Sequence, residues 1–296
     1  MSSIANLADT SRAAPPIWAY AALAGAGAFF GLGFVFGKWA LADMPVHAMV
    51  TFRFVIASVI LAPFVFRKRI PLRPRDLAFF ALAGVIFVPI QFLIQFEGLA
   101  RTSVMHASLM VALLPVLIAL GSILVPGKRS RPQWIPIGVS ALGAILVVAG
   151  PSSHSSALGD GLVLLSLFAA VVWVLLCERY INRYDAIAAS TYMLWIGTAV
   201  LLALELLLHP HQLVQRYSAI SWLATCGAGV VSTAAATLFW NIGLSRVASS
   251  DAGVFLNLEP LIGALCGIAF FGDALSWPIV AGAVMVIAGA VVVARR

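Results

Sequence analysis

Two stretches of this sequence match one another 145 positions apart: GLARTSVMHASLMVALLP at residues 98–115 and GLSRVASSDAGVFLNLEP at residues 243–260. The same offset pairs Gly84 with Gly229, outside both stretches. Each copy lies in apolar sequence, which indicates a repeat of membrane-spanning structure. If each copy has an odd number of spanning helices, the second enters the bilayer inverted, an arrangement typical of secondary transporters.

The composition excludes a soluble protein. Hydrophobic residues make up 62% of the 296 residues, charged residues make up 10%, and the mean hydropathy is +1.04. Such a chain cannot cover a soluble surface with polar groups, so its surroundings are a lipid bilayer. The formal charge of +7 comes from bases in short connections beside apolar spans. This pattern indicates membrane orientation and not nucleic-acid binding.

Ten segments are apolar over about 20 residues, the length that crosses a bilayer. Breaker residues mark most of the joints between them. The sequence therefore predicts an all-α membrane protein with spans at residues 17–37, 46–66, 76–98, 103–124, 132–149, 159–178, 186–207, 218–244, 249–271 and 277–294.

The basic residues set the predicted orientation. With the N-terminus inside, most of the 18 Lys and Arg residues lie on the cytoplasmic side, and only Lys38, Arg101 and Arg216 lie outside. This bias places both termini in the cytoplasm and requires an even number of spans. Ten spans in two repeats give five each, so the two five-helix repeats are inverted. We expect a cytoplasmic tail at 1–16 and repeats at 17–150 and 157–296.

Two titratable residues are candidates for coupling transport to protons. Glu259 lies ~15 Å into the ninth span, where an ionised carboxylate needs a partner or a wet cavity. Alternatively, it is protonated or binds a backbone group that Pro260 leaves unpaired. His106 can titrate near neutral pH, or it is a passive group at the membrane interface.

Prolines occupy matching positions in the two repeats. Pro115 lies in the fourth span and Pro260 in the ninth. Interrupted helices at matching places point to a binding site and to bending elements. The alternative is a pair of static kinks filled by packing.

Polar and aromatic stripes run along several predicted spans. At helical spacing such stripes can line a cavity for an amphipathic or aromatic solute, whereas interhelical hydrogen bonding and plain packing are the alternatives. The residues expected to line a substrate cavity are Gln91, Gln95, Trp173, Tyr192, Trp195, Thr237, Trp240 and Asn241.

Other reactive residues suggest no catalytic or metal centre. The three cysteines lie unpaired in apolar segments, and His209 and His211 are too sparse for a metal site. No cofactor motif, phosphate-binding loop or nucleophile with a base is present, so neither an enzyme nor an ATP-driven pump is expected. Arg53, inside the second span, either snorkels outward or attracts an anionic group.

The whole pattern resembles the EamA family of the drug/metabolite transporter superfamily. The residues that carry the resemblance are the two matching stretches above, then Gly272 and Asp273, where the family usually has Gly and Glu, and the closing helix at residues 282–293. Within the family, the sequence pattern most resembles bacterial exporters of aromatic amino acids and related metabolites. The resemblance implies an inner-membrane exporter with a central cavity between the halves, lined by helices one to four and six to nine.

We therefore expect a transporter that exports small metabolites, most of all amino acids including aromatic ones, by alternating access. A multidrug or lipid-precursor exporter of the same fold is the nearest alternative. A membrane receptor or scaffold is the alternative from a different class. Proton coupling and downhill transport both stay open, as does the oligomeric state, with which a monomer is compatible.

Overall fold

The computed structural model describes residues 15–68, 73–123, 134–149, 156–177, 184, 186–247 and 252–294. Within these ranges the regular structure is all helical, without strands. Most of the expected tail and most of the joint between the repeats lie outside the described residues. The α-helices are α1 (Ile17–Ala40), α2 (Val46–Lys68), α3 (Leu77–Val85), α4 (Leu93–Arg101), α5 (Val104–Val111), α6 (Leu114–Ile123), α7 (Trp134–Ala149), α8 (Ala157–Cys177), α9 (Ala186–Leu208), α10 (Ala219–Gly227), α11 (Ala236–Leu244), α12 (Leu258–Phe271) and α13 (Trp277–Ala294).

Among the described residues, seven helical stretches are long and apolar enough to cross a membrane. Three shorter apolar helices occupy the predicted fifth, ninth and tenth segments. Large apolar side chains such as Leu165, Leu223 and Val284 are exposed on the outer surface, as expected for helices surrounded by lipid. The seven longer stretches are Ile17–Ala40, Val46–Phe66, Pro74–Arg101, Val104–Ile123, Ala157–Cys177, Ile187–Leu208 and Ala219–Leu244.

Helices from the first half of the chain pack mainly against helices from the second half. α1 packs against α11 and α12, α2 against α9, α4 against α8, and α7 against α13. The largest buried cluster accordingly combines residues such as Phe54 and Val88 with Leu167 and Leu201. The core of the protein therefore lies between the two halves.

The repeated glycines lie at points of close contact between helices. A Cβ added at Gly84 would lie 2.5 Å from a backbone oxygen of α9, and one added at Gly229 would lie 2.8 Å from a backbone oxygen of α2. Gly98 meets the backbone of α8, and Gly243 meets Leu23 of α1. Small residues are needed at these positions because they let helix backbones approach closely in the membrane.

Two helical rods contain a π-helical segment at similar places in the two halves. Ile86–Phe92 connects α3 to α4, and Ala228–Ala235 connects α10 to α11. Pro89 accounts for the first segment, since proline has no N–H to donate within a regular helix. Such segments are frequent at functional sites because they re-aim side chains and free backbone carbonyls.

The helices that contain the two matching prolines are interrupted. The break between α5 and α6 precedes Pro115, the second residue of α6. A 3-10 helix, Gly253–Asn257, precedes α12, in which Pro260 is the third residue. Proline is tolerated in a first helical turn because its missing N–H would have no partner there. The fourth predicted span is therefore present as one stretch, Val104–Ile123, with a break between α5 and α6 inside it.

Candidate substrate site

A buried arginine lies where helices of the two halves meet. Arg53 stands in the second turn of α2 and is 5% exposed. Its Nε donates a hydrogen bond to the hydroxyl of Thr233, over 2.8 Å, and that hydroxyl donates to the carbonyl of Ala228 at 3.0 Å. Both partners belong to the π-helical segment Ala228–Ala235. The guanidinium group therefore points inward instead of snorkelling to the membrane surface.

Aromatic rings surround the Arg53 guanidinium. Its central carbon lies 5.1 Å from the ring centres of Phe92 and Phe96 and 5.6 Å from that of Phe54. A Cβ added at Gly33 of α1 would lie 3.6 Å from an Arg53 nitrogen, so this glycine leaves room for the cation. Ring faces stabilise a desolvated cation by about 2 kcal/mol or more.

Glu259 supplies the opposite charge at this centre. It is the second residue of α12, is half-buried, and interacts electrostatically with Arg53. α1 approaches it closely: a Cβ at Gly31 would lie 2.5 Å from the Glu259 carbonyl oxygen. Both residues thus lie beside α1, Arg53 near Gly33 and Glu259 near Gly31.

Three of the predicted cavity residues, Gln91 and Gln95 of the first half and Trp173 of α8, have buried polar side-chain atoms. Gln91 and Gln95 are buried, and Trp173 stacks on Phe87 with ring centres 4.3 Å apart. Within the described part of the chain, the Gln91 Oε1 and the Trp173 Nε1 have no hydrogen-bond partner. An unpaired buried polar atom costs about 1–3 kcal/mol, so a bound solute or water that pairs with these atoms would be stabilised.

Tyr192 and Trp195 lie together on α9. Their ring centres are 5.8 Å apart, and Tyr192 also contacts Phe80. The indole N–H of Trp195 donates to the backbone carbonyl of Ser58 on α2, at 3.0 Å. Together with Trp173, Tyr192 belongs to an aromatic cluster between α3, α8 and α9.

The remaining predicted residues lie apart from that cluster. Asn241 donates from Nδ2 to the backbone carbonyl of Thr237 in its own helix, at 2.8 Å. Trp240 packs against a separate cluster with Tyr20 and Phe255. The structure therefore separates Trp173 and Tyr192, in the cluster between α3, α8 and α9, from Trp240, which packs beside α1.

His106 belongs to a third buried group. Its side chain is fully buried, with Nδ1 at 3.3 Å from a carboxylate oxygen of Asp160 on α8. The hydroxyl of Thr102 donates to the other oxygen of Asp160. Among the described residues, the His106 Nε2 has no partner. This network joins α5 to α8, away from the contacts made by Arg53.

Two charged residues that sequence reasoning did not assign to a site hold helix ends beside this network. The Lys38 ammonium donates to the backbone carbonyls of Leu99 at 2.9 Å and Thr102 at 2.7 Å, at the end of α4. Asp273 accepts a hydrogen bond from the backbone N–H of Met105, at 2.8 Å, in the first turn of α5. Both follow the rule that cations suit helix C-termini and anions suit N-termini.

The fold and this buried, charged centre define a multi-pass membrane protein of the transporter class. Residues 17–149 and 157–295 each match the model of the EamA-like transporter family. The chain belongs to this family, as the sequence resemblance predicted.

Curated relatives extend over most of the chain. An "Uncharacterized transporter" of Archaeoglobus fulgidus is 24% identical, over 86% of this chain and 90% of its own length. The "Uncharacterized transporter YyaM" of Bacillus subtilis is 25% identical, over 91% of both chains. The "Probable terminal-alkyne amino-acid exporter" of Streptantibioticus cattleyicolor is 24% identical, over 82% of both chains.

A solved crystal structure has the same fold. Its TM-score to this chain is 0.65, at 19% sequence identity, and the match covers 94% of this chain and 99% of the other. At this identity the likeness shows the fold alone.

Proposed function

We propose that this protein is a secondary transporter that exports small zwitterionic metabolites, most of all amino acids including aromatic ones, by alternating access. The observation that carries this proposal is the buried cation of Arg53, with the half-buried Glu259 as the opposite charge that acts on it, where helices of both halves pack together. A relative that matches 82% of the chain carries the name "Probable terminal-alkyne amino-acid exporter".

The charges match the head group of an amino acid. Ionisable groups within a bilayer are expensive unless they pair, and they mark substrate or ion pathways. In the proposed complex Arg53 binds the α-carboxylate, because its planar fork suits two carboxylate oxygens. Glu259 binds the α-ammonium group. A zwitterion therefore replaces the interaction between the two side chains without leaving either charge uncompensated.

The surrounding rings suit an aromatic side chain. Phe54, Phe92 and Phe96 already enclose the Arg53 guanidinium. Trp173 adds an indole N–H whose hydrogen bond is unused within the described residues. Ring walls with a few polar groups that fix orientation are typical of small-molecule sites. We propose that the predicted cavity residues of α8 and α9 form the wall nearest to the substrate.

We further propose ten spanning helices in two inverted five-helix repeats, at 17–150 and 157–296. The repeated glycines support this arrangement: Gly84 of the third span packs on α9, the seventh span, and Gly229 of the eighth span packs on α2, the second. Equivalent residues thus make equivalent contacts with the other half. In alternating access the halves rock about the shared core, with Pro115 and Pro260 as bending points.

The proposed site of action is the bacterial inner membrane, with both termini in the cytoplasm. The protein acts as a carrier without a cofactor and not as an enzyme, and one chain suffices for the proposed site. Glu259 and His106 are the titratable groups from which proton coupling would come. Downhill transport is the alternative.

Counterflow of labelled phenylalanine in proteoliposomes tests the proposal. The competitors are unlabelled phenylalanine, phenylethylamine, which lacks the carboxylate, and phenylpropionate, which lacks the amine. We expect phenylalanine to compete best. In Arg53→Gln its advantage over phenylethylamine should fall at least tenfold, since a charge-assisted hydrogen bond contributes about 1.5–3 kcal/mol. Arg216→Gln, at an exposed loop position, should keep the advantage.

Other outcomes distinguish the alternatives. Counterflow blocked by cationic drugs or lipid-linked precursors but not by amino acids would assign the chain to a different exporter class. Absence of substrate-dependent flux across these panels would leave a receptor or scaffold. Equal competition by the amine and the amino acid in the natural chain would exclude a role for Arg53 in binding the carboxylate.

A further inference from the structure

Four side chains with ligand atoms face one another where α2 begins and α9 ends. His47 and Thr51 are one turn apart on α2. Glu205 lies in the last turn of α9, and His209 follows one turn later, with its backbone N–H donating to the Glu205 carbonyl at 2.9 Å. Residues four apart share a helix face, so each helix end presents two of these side chains to the other.

Three of these side chains already place their ligand atoms close together. The His47 Nδ1 lies 3.0 Å and 2.9 Å from the two carboxylate oxygens of Glu205. One ligand atom from each of His47, Glu205 and His209 lies within 4.8 Å of the others. Ligands bound tetrahedrally at about 2.0–2.1 Å from a zinc ion are roughly 3.3 Å apart. Small side-chain movements therefore bring all three to one ion.

The setting is a small cavity with polar groups on one wall. Glu205 is only 2% exposed, and its carboxylate has one hydrogen-bond partner among the described residues, His47. The Thr51 hydroxyl, 1% exposed, has no hydrogen-bond partner among the described residues. Both line a cavity of about 110 Å³ whose other walls are mainly leucines. That volume holds an ion with one or two waters.

The local charge favours a cation. Burial raises the pKa of Tyr217, and the nearby carboxylates of Glu205 and Asp43 raise it further. The negative charges of Glu205, a cavity residue, and of Asp43 are therefore both felt at Tyr217. Arg216 is exposed in the loop that leads to Tyr217, while the cavity itself is lined by imidazoles, one carboxylate, one hydroxyl and apolar groups.

We propose that His47, Glu205 and His209 bind a zinc ion that bridges α2 and α9. Two imidazoles and one carboxylate are ligands that Zn²⁺ prefers, and water or the Thr51 hydroxyl completes the tetrahedron. The rings of His47 and His209 are stacked, with centres 4.1 Å apart and planes 20° apart. Because an imidazole lone pair lies in the ring plane, the His209 ring turns out of the stack when the ion binds. The sequence expectation that His209 and His211 are too sparse for a metal site did not include His47 and Glu205.

Direct metal titration tests the site independently of transport. The full chain, purified without a polyhistidine tag and stripped with a chelator, is titrated with Zn²⁺ against a chromophoric zinc indicator. Co²⁺ is used in parallel, because a tetrahedral site gives it visible absorption bands. We expect one saturable Zn²⁺ per chain and no binding of Mg²⁺ at the same concentration. His209→Ala and Glu205→Gln should each weaken Zn²⁺ binding at least tenfold.

His211→Ala is the matched control, since this exposed histidine lies two positions from His209. It should bind Zn²⁺ like the natural chain. The His209→Ala variant is expected to fold normally, because His209 is partly exposed and the contact of His47 with Glu205 remains. Binding that is absent in the natural chain, or unchanged in both His209→Ala and Glu205→Gln, would overturn the proposal and leave a simple histidine–carboxylate pair.

Discussion

The contact of Gly84 with α9 gives a stability prediction that can be worked from distances. In Gly84→Ala the new Cβ would lie 2.5 Å from the Met193 carbonyl oxygen and 3.3 Å from the Gly197 nitrogen. Both are backbone atoms, so the conflict cannot be relieved by a side-chain rotation. To reach an ordinary contact of at least 3.4 Å, the new Cβ and the Met193 carbonyl oxygen must separate by about 0.9 Å or more, and overpacking of this kind costs about 1–3 kcal/mol.

Gly138→Ala is the matched control, because a Cβ there would meet nothing within 4 Å among the described residues. Both substitutions gain the same helix propensity, up to about 1 kcal/mol. The difference between the two variants therefore isolates the packing cost. We expect Gly84→Ala to be less stable than Gly138→Ala by about 1–3 kcal/mol.

The assay is thermal unfolding in one detergent at one scan rate, followed by titration with a denaturing detergent to obtain the free energy of unfolding. The expected difference in Tm is roughly 2–10 °C. Gly229→Ala should behave like Gly84→Ala, because its Cβ would lie 2.8 Å from the Arg53 carbonyl oxygen. Equal Tm values for Gly84→Ala and Gly138→Ala would refute the close helix crossing between the halves.

Three further results are expected. Trp173→Phe keeps the stack on Phe87 and removes an indole N–H that lacks a partner among the described residues. The KM for aromatic amino acids should therefore rise severalfold in counterflow, while Tm does not fall. An unchanged KM would show that Trp173 serves only in packing. Glu259→Gln should flatten the pH dependence of the initial transport rate. A profile like that of the natural chain would exclude this carboxylate from proton coupling. The Ser221 hydroxyl and the Ser218 N–H donate hydrogen bonds to Asp43 and lower the pKa of its carboxyl group. The ionised Asp43 therefore stabilises the fold above the ordinary Asp pKa of about 3.9, and this stabilisation is lost as pH falls through the lowered pKa. Tm should fall more steeply between about pH 5 and 3 in the natural chain than in Asp43→Asn, and parallel curves would contradict this.

The sequence was most informative about features that depend on local pattern. Apolar length predicted where helices lie, and the matching glycines marked positions that the structure shows to be backbone contacts. Pro115 and Pro260 predicted interruptions, and both lie in the first turn of a new helical segment. These signals work because span length, helix breaking and close approach each depend on few neighbouring residues.

Features that depend on distant partners were harder to predict. The sequence left two orientations open for Arg53, since its inward position depends on Thr233, which lies 180 residues away. The contact between His47 and Glu205 joins residues 158 positions apart, and no periodicity along either helix marks it. The π-helical segment Ala228–Ala235 contains no proline, so it had no signal comparable to Pro89. These properties arise only when the halves pack together.

The position of the core between the halves affects how the protein is made. Helices α1 to α7 are synthesised first, yet the partners of α1, α2, α4 and α7 belong to α8 to α13. During translation the glycine-lined faces that pack against the second half are therefore exposed to lipid until α8 to α13 have been synthesised. The contact between α7 and α13 forms only after α13 has been synthesised. A chain cut short before that point is expected to be a preferred substrate for membrane proteases, because its exposed helix faces have no partners.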